Sequence, residues 1–155
     1  MDATIDAVRV AGTTEGPVPV VLLAVEDENE DDVLPIYVGF DEAASIARGQ
    51  DATDIGRPLT HDLLLDVVEE LGGRVTKVVV SAIEEQNGGG TYIADLHIRT
   101  PRDDVVVDAR PSDSLALAAR TNAAIEVSDP VFEDGGQDPD RFEDLQDIRE
   151  VTELA

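Results

Sequence analysis

A chain of 155 residues, 42% of them hydrophobic, is long enough for one domain with its own core. It has no cysteine, which excludes disulfides, thiolate catalysis and cysteine-based zinc sites. No apolar run approaches the roughly 20 residues a membrane helix needs, and 35 acids against 11 bases give a net charge of −24.

The acids are spread over the whole length and Lys77 is the single lysine. That pattern reads as adaptation to strong salt, where a Debye length of about 3 Å at 1 M relieves self-repulsion. The charge therefore says more about the solvent than about the partner. The opening Met1-Asp2-Ala3-Thr4 lacks the basic and apolar regions of a signal peptide, so the cytoplasm is the expected compartment.

Ile5 to Val10 alternates as a strand, and Val18 to Val25 is a near-continuous apolar run that predicts a more buried one. Glu26 to Asp32 is a turn. Val33 to Val38 predicts a third strand, with Pro35 marking an edge or a bulge. Asp41 is the expected cap of a short helix over Glu42 to Arg48, and Gly49 to Gly56 reads as a polar loop. Thr60 is then the expected cap of a three-turn helix ending at Gly72-Gly73. Its Leu63, Leu64, Val67, Val68 and Leu71 share one face.

Val75 to Ile83 and Thr91 to Arg99 predict a hairpin turning at Asn87-Gly88-Gly89-Gly90. In its second strand Tyr92, Ala94, Leu96 and Ile98 face inward, while Asp95, His97 and Arg99 face out. A strand over Val105 to Val107 follows. Pro111 suits a first helical turn, before a helix over Ser114 to Thr121 and a closing strand at Ile125 to Val127. From Asp129 onward ten acids and two arginines fill the last 27 residues. Asp138-Pro139 predicts a helix carrying Phe142, Leu145 and Ile148. There is no internal repeat. The expected fold is α+β, a mostly antiparallel or mixed sheet with about three packed helices and a C-terminal helix. The expected division is a domain over 1–132 and an acidic extension over 133–155.

Two segments carry chemistry, Arg57-Pro58-Leu59-Thr60-His61-Asp62 and Asp108-Ala109-Arg110-Pro111-Ser112-Asp113. Each sets an Arg, a hydroxyl and an acid around a proline at a helix start, where unpaired N–H groups favour anions. His61 suits general acid–base work. Asp62 suits orienting it or binding a metal, and Arg57 and Arg110 suit clamping a phosphate. Asp108 and Asp113 offer the oxygens that Mg²⁺ or Mn²⁺ requires, with Glu42 as a third carboxylate. Ser112 either donates to a phosphate or caps the helix. Taken segment by segment, the plainer reading comes first. In it Thr60 caps, Asp62 favours the dipole, His61 bonds a neighbouring loop, Glu42 is a helix-start acid, and Arg110 pairs with Asp108 or Asp113. His97 reads as a solvent-facing strand residue, and the acid clusters as solvated surface. No phosphate loop, dinucleotide fingerprint or Gly-x-Ser-x-Gly motif is present.

Read together, four ordered motifs resemble the bifunctional nuclease domain family. They are Leu34-Pro35-Ile36-Tyr37-Val38-Gly39, Glu42-Ala43, Arg57 to Leu64, and Asp108 to Ala118. The resemblance covers residues 1 to 132. It implies an α+β fold assembling as a homo-oligomer, dimer- or trimer-based, and a nuclease acting on both DNA and RNA. The loop before Arg57 is more polar than the family pattern, and the overall charge opposes a polyanion.

The leading expectation is a phosphodiester hydrolase helped by Mg²⁺ or Mn²⁺, with no organic cofactor. His61, Asp62, Asp108 and Asp113 are its catalytic candidates. Arg57, Thr60, Arg110 and Ser112 would hold substrate, and Asp108, Asp113 and Glu42 the metal. The alternative is a non-enzymatic, oligomeric binding or regulatory module whose motifs shape a pocket or an interface. Nucleic acid and a second copy of the chain are the expected partners, and a membrane is not.

Overall fold

The computed structural model describes residues 1–86 and 89–152; of the turn expected at Asn87-Gly88-Gly89-Gly90, the first two residues lie outside the described residues and the last two begin a strand. Among the described residues the chain forms a mixed α+β fold. Eight strands make one sheet: β1 (Asp2–Thr13), β2 (Gly16–Val25), β3 (Val33–Tyr37), β4 (Arg74–Gln86), β5 (Gly89–Arg99), β6 (Asp104–Ala109), β7 (Ala124–Val127) and β8 (Gln146–Asp147). The sheet order is β3-β2-β1-β7-β4-β5-β6, with β8 added to β1.

Two antiparallel meanders, β1-β2-β3 and β4-β5-β6, are thus joined through the four residues of β7. That strand runs antiparallel to β1 and parallel to β4. Strand alternation sorts the side chains between the faces. Val21, Leu23, Leu34, Ile36, Val78, Val80, Ala94 and Leu96 enter the main core. Val20 and Leu22 point the other way and meet Phe142 and Val33 in a smaller cluster.

Three helices pack the main core: α1 (Phe40–Asp51), α2 (Thr60–Glu70) and α3 (Pro111–Ala119). α1 and α3 cross closely over small side chains. A Cβ on Gly49 would lie 2.9 Å from that of Ala119, so glycine is kept there despite its cost inside a helix. The helix consequently runs through Gly49 into the expected loop and stops at Ala52, which takes the left-handed conformation with φ 49°. Gly72, at φ 83°, turns the chain out of α2 against Pro101.

The helix caps differ from expectation. Gly39, not Asp41, is the N-cap of α1, and Leu59, not Thr60, is the N-cap of α2. Asp62 does the capping instead, its carboxylate accepting the Leu59 N–H at 3.1 Å.

The C-terminal helix expected from Asp138 is broken into pieces. A short helix α4 (Asp129–Gly135) precedes a single 3₁₀ turn at Pro139–Phe142, then β8, then α5 (Ile148–Val151). The break has local causes. The carboxylates of Asp138 and Asp147 accept the N–H groups two residues on, and each restarts the chain. This segment lies on the domain: Phe142 and Ile148 are buried, each such side chain contributing about 1.5–3 kcal/mol. Arg149 also reaches α1, pairing with Asp51 at 2.8 Å.

The apolar stripe of α2 faces away from the core. Only Leu65 and Val68 are half-buried on the inner side, whereas Leu59, Leu63, Leu64, Val67 and Leu71 are exposed.

Candidate active site at three helix starts

The N-termini of α1, α2 and α3 meet, and each helix has a carboxylate at its third position: Glu42, Asp62 and Asp113. Each answers the partial positive charge of its own helix start. Their side chains also connect the helices. His61 on α2 stands between the other two, its Nε2 2.9 Å from Asp113 Oδ1 on α3 and its Nδ1 2.6 Å from Ser45 Oγ on α1. Arg110, the N-cap of α3, donates through Nε to Asp113 Oδ2 at 3.1 Å. It also lies 3.7 Å from Glu42 Oε1.

Below this layer Arg120 donates to Asp62 at 2.7 Å and to the carbonyls of Ser45 and Ala116, both at 2.9 Å. Gly39 permits the arrangement above, because the Glu42 carboxylate folds back into the space a Cβ there would need.

The electrostatics follow. Burial pushes the Asp113 carboxyl up, but the hydrogen bonds from His61 and Arg110 outweigh it and hold its pKa below the ordinary value. Burial likewise opposes, and Arg120 and the Leu59 N–H overcome, at Asp62. An ionised Asp113 can only accept, which puts the His61 proton on Nε2. In the neutral ring Nδ1 then accepts from the Ser45 hydroxyl. The result is an acid–histidine–hydroxyl chain. Its hydroxyl is sheltered, with Ser45 only 5% exposed, and the His61 side chain is 12% exposed.

Glu42, Ser45, His61, Asp62, Arg110, Asp113 and Arg120 form this one network. Asp108 is not part of it. On β6 it sits opposite Asp95, on the sheet face away from Ala109 and Ala94. Arg57 and Thr60 are exposed beside the start of α2, and Arg57 makes no ion pair among the described residues. Ser112 occupies the second position of α3 and is not its cap. His97 pairs with Val106 across the outer face of β5 and β6, as expected for a strand residue outside the site.

The fit to a divalent ion is poor. Among the described residues no three His, Asp or Glu side chains converge as ligands. Glu42 and Asp113 already hold a guanidinium, which an ion would have to displace.

Beside Arg110 opens a cavity of about 320 Å³, lined by Ile36 and Tyr37 of β3, Thr91 and Tyr92 of β5, and Arg110 and Ser112. β3 and β5 belong to opposite ends of the sheet order. The sheet therefore curls until its two ends flank the cleft, with α4 placed between them: Gly135 lies against both Leu34 and the Tyr92 hydroxyl.

Ser45 and Arg120, both central to the network, escape a reading of the sequence. Ser45 looks like one more small residue beside the alanines of α1 and Arg120 like a charged helix end, and the side chains they meet are distant along the chain.

A model of the bifunctional nuclease domain matches residues 21–140. Two relatives in Mycobacterium tuberculosis, "Uncharacterized protein MT1877" of strain CDC 1551 and "Uncharacterized protein Rv1829" of strain H37Rv, are each 38% identical over 130 residues. These cover 83% of this chain and 75% of each relative. No helix among the described residues is long and apolar enough to cross a membrane.

Proposed function

The chain belongs to the bifunctional nuclease domain family, and from that premise we propose that it hydrolyses phosphodiester bonds of DNA and RNA at the three helix starts. The Asp113–His61 contact directly beneath the exposed Arg110 carries this reading. Arg110 and the free N–H groups at the start of α3 hold the phosphate. Arg57 is a second cation within the family motif. Asp113 fixes the proton of His61 on Nε2 and stabilises the ring when it charges, so that Nδ1 can take the Ser45 hydroxyl proton as that hydroxyl takes one from the attacking water. Ser45 orients the imidazole, and Asp62 positions the start of α2 through Arg120. Asp108 has no role in this step.

Mg²⁺ or Mn²⁺ would have to displace Arg110 from Glu42 and Asp113 before it could add charge neutralisation at the phosphate, and the step above uses the chain's own residues alone. The near absence of lysine and the spread of acids fit a protein of a salt-adapted microbe.

A second reading rests on a different observation. Both ring nitrogens of His61 already have protein partners and the imidazole is largely covered, as in a clasp that joins three helices. On that reading the domain binds nucleic acid without cutting it, and the apolar α2 face holds copies together.

Cleavage of labelled single-stranded and duplex DNA and RNA decides between them. It should be assayed at low and at about 1 M KCl, with and without Mg²⁺ or Mn²⁺. The proposal expects His61→Ala to lose about 10²–10⁴-fold in rate while keeping its circular dichroism spectrum. Folded wild type that binds but never cleaves establishes the second reading.

A further inference from the structure

The cleft next to Arg110 differs from the rest of the surface. In a chain with 35 acids, none of the described residues lining it is a carboxylate. Two other cavities, of about 420 and 270 Å³, include Asp2 and Glu26, and Asp62, respectively. The chain has only five aromatic residues. Phe132 and Phe142 are buried in cores, but both tyrosines line this cleft, Tyr37 being 54% exposed. Phe40, also exposed, follows two residues after Val38 of the same cleft wall.

At the base of the cleft α3 begins. Ser112 there is only 9% exposed, and its hydroxyl makes no hydrogen bond among the described residues. Its oxygen is not sealed from solvent, unlike the unpartnered Ser114 hydroxyl, so it is free to bond a ligand in the cleft. An aromatic wall, an arginine, an unpartnered donor and a helix N-terminus within one acid-free cavity match a nucleotide part by part. The base stacks and the phosphate takes the donors. A volume of about 320 Å³ lies at the small end of ligand pockets, room for one nucleotide and not for a base pair.

We propose that this cleft is a base-stacking subsite for single-stranded nucleic acid. One unpaired base lies against Tyr37 and Tyr92, with its phosphate on Arg110 and Ser112. This rests on the reading of the neighbouring site as one for nucleic acid, but it concerns recognition and stands whether or not the strand is cut. A base inside a duplex can reach the cleft only by leaving its stack, which costs binding energy. The subsite therefore makes the protein prefer unpaired strands, and Tyr37 is a specificity-determining residue.

The test is binding of a short phosphorothioate-linked oligodeoxynucleotide, its duplex, and a mononucleotide. It is read by tyrosine emission, which is unobscured because the chain has no tryptophan, and independently by calorimetry. The single strand is expected to quench the emission and to bind more tightly than either competitor. Tyr37→Ala is expected to weaken strand binding about 5- to 150-fold, the loss of one stacked base, and Tyr37→Phe to stay near wild type. Because Tyr37 is exposed, both variants should keep the wild-type circular dichroism and melting temperature. Equal strand binding by wild type and Tyr37→Ala, or equal affinity for strand and duplex, overturns the proposal. A mononucleotide bound as tightly as the strand overturns the strand assignment. Strand binding that depends on Tyr37 but comes without cleavage leaves this inference standing while the hydrolytic reading falls.

Discussion

Arg120 and Asp62 lie 58 residues apart and meet at 2.7 Å, the arginine side chain only 8% exposed. The same guanidinium holds carbonyls of α1 and α3, so one side chain ties together the three helices on which the candidate site is built. It is paired and hydrogen-bonded, which is the condition under which a covered charge is tolerated.

Removing one member of this pair should cost more than losing a surface ion pair. Arg120→Ala leaves Asp62 without its cation and frees two inward carbonyls. A loss of about 2–3 kcal/mol in unfolding free energy is expected from charged hydrogen bonds of this kind. Urea titration measures it. A loss under about 0.5 kcal/mol would show that the contact is not maintained in solution.

Acid should weaken the site in a defined direction. Asp51, Asp62 and Asp113 titrate below their ordinary value in the folded chain. The stability they contribute is complete well above the unfolded value of about 3.9 and is lost as pH falls through the folded values. Protonating the many other acids relieves self-repulsion and acts the opposite way, so the variant comparison isolates the effect. The stability gap between wild type and Asp113→Asn should be widest near neutrality and close on acidification. A gap that does not change between about pH 6 and pH 3 would refute the assignment.

The exposed apolar face of α2 carries its own test. Leu63→Lys with Leu71→Lys adds charge where both side chains are open in the single chain, Leu71 at 77%. Monomer stability should move by less than about 0.5 kcal/mol. If copies associate through this face, the mass in analytical ultracentrifugation should drop to that of one chain. An unchanged assembly mass would place any interface elsewhere.

Much of the fold is legible along the chain because periodicity reports local geometry. The inward run Tyr92, Ala94, Leu96 and Ile98 faces the main core, and α2 spans the stretch expected of it. Periodicity also defines a face without saying what covers it, so the leucine stripe of α2 looks like core and lies outside. The same alternation could have removed Asp108 from the site, since neighbouring strand residues point to opposite faces and Ala109 points inward. The His61–Asp113 and Arg120–Asp62 contacts span 52 and 58 residues. Only the completed sheet brings such positions together. Ser45, an inconspicuous serine among alanines, acquires meaning from the imidazole that tertiary packing brings to it.

The four-residue β7 has a mechanical consequence. The walls of the cleft are divided between the two meanders: Tyr37 comes from the first, Tyr92 and Arg110 from the second. A short seam of backbone pairing sets their spacing within the sheet, with the helices bracing it above. The cleft is thus the gap of a caliper whose jaws are the two meanders of one sheet and whose pivot is β7. Whatever occupies it is gripped from both sides, and the strength of that grip depends on a strand distant from the site.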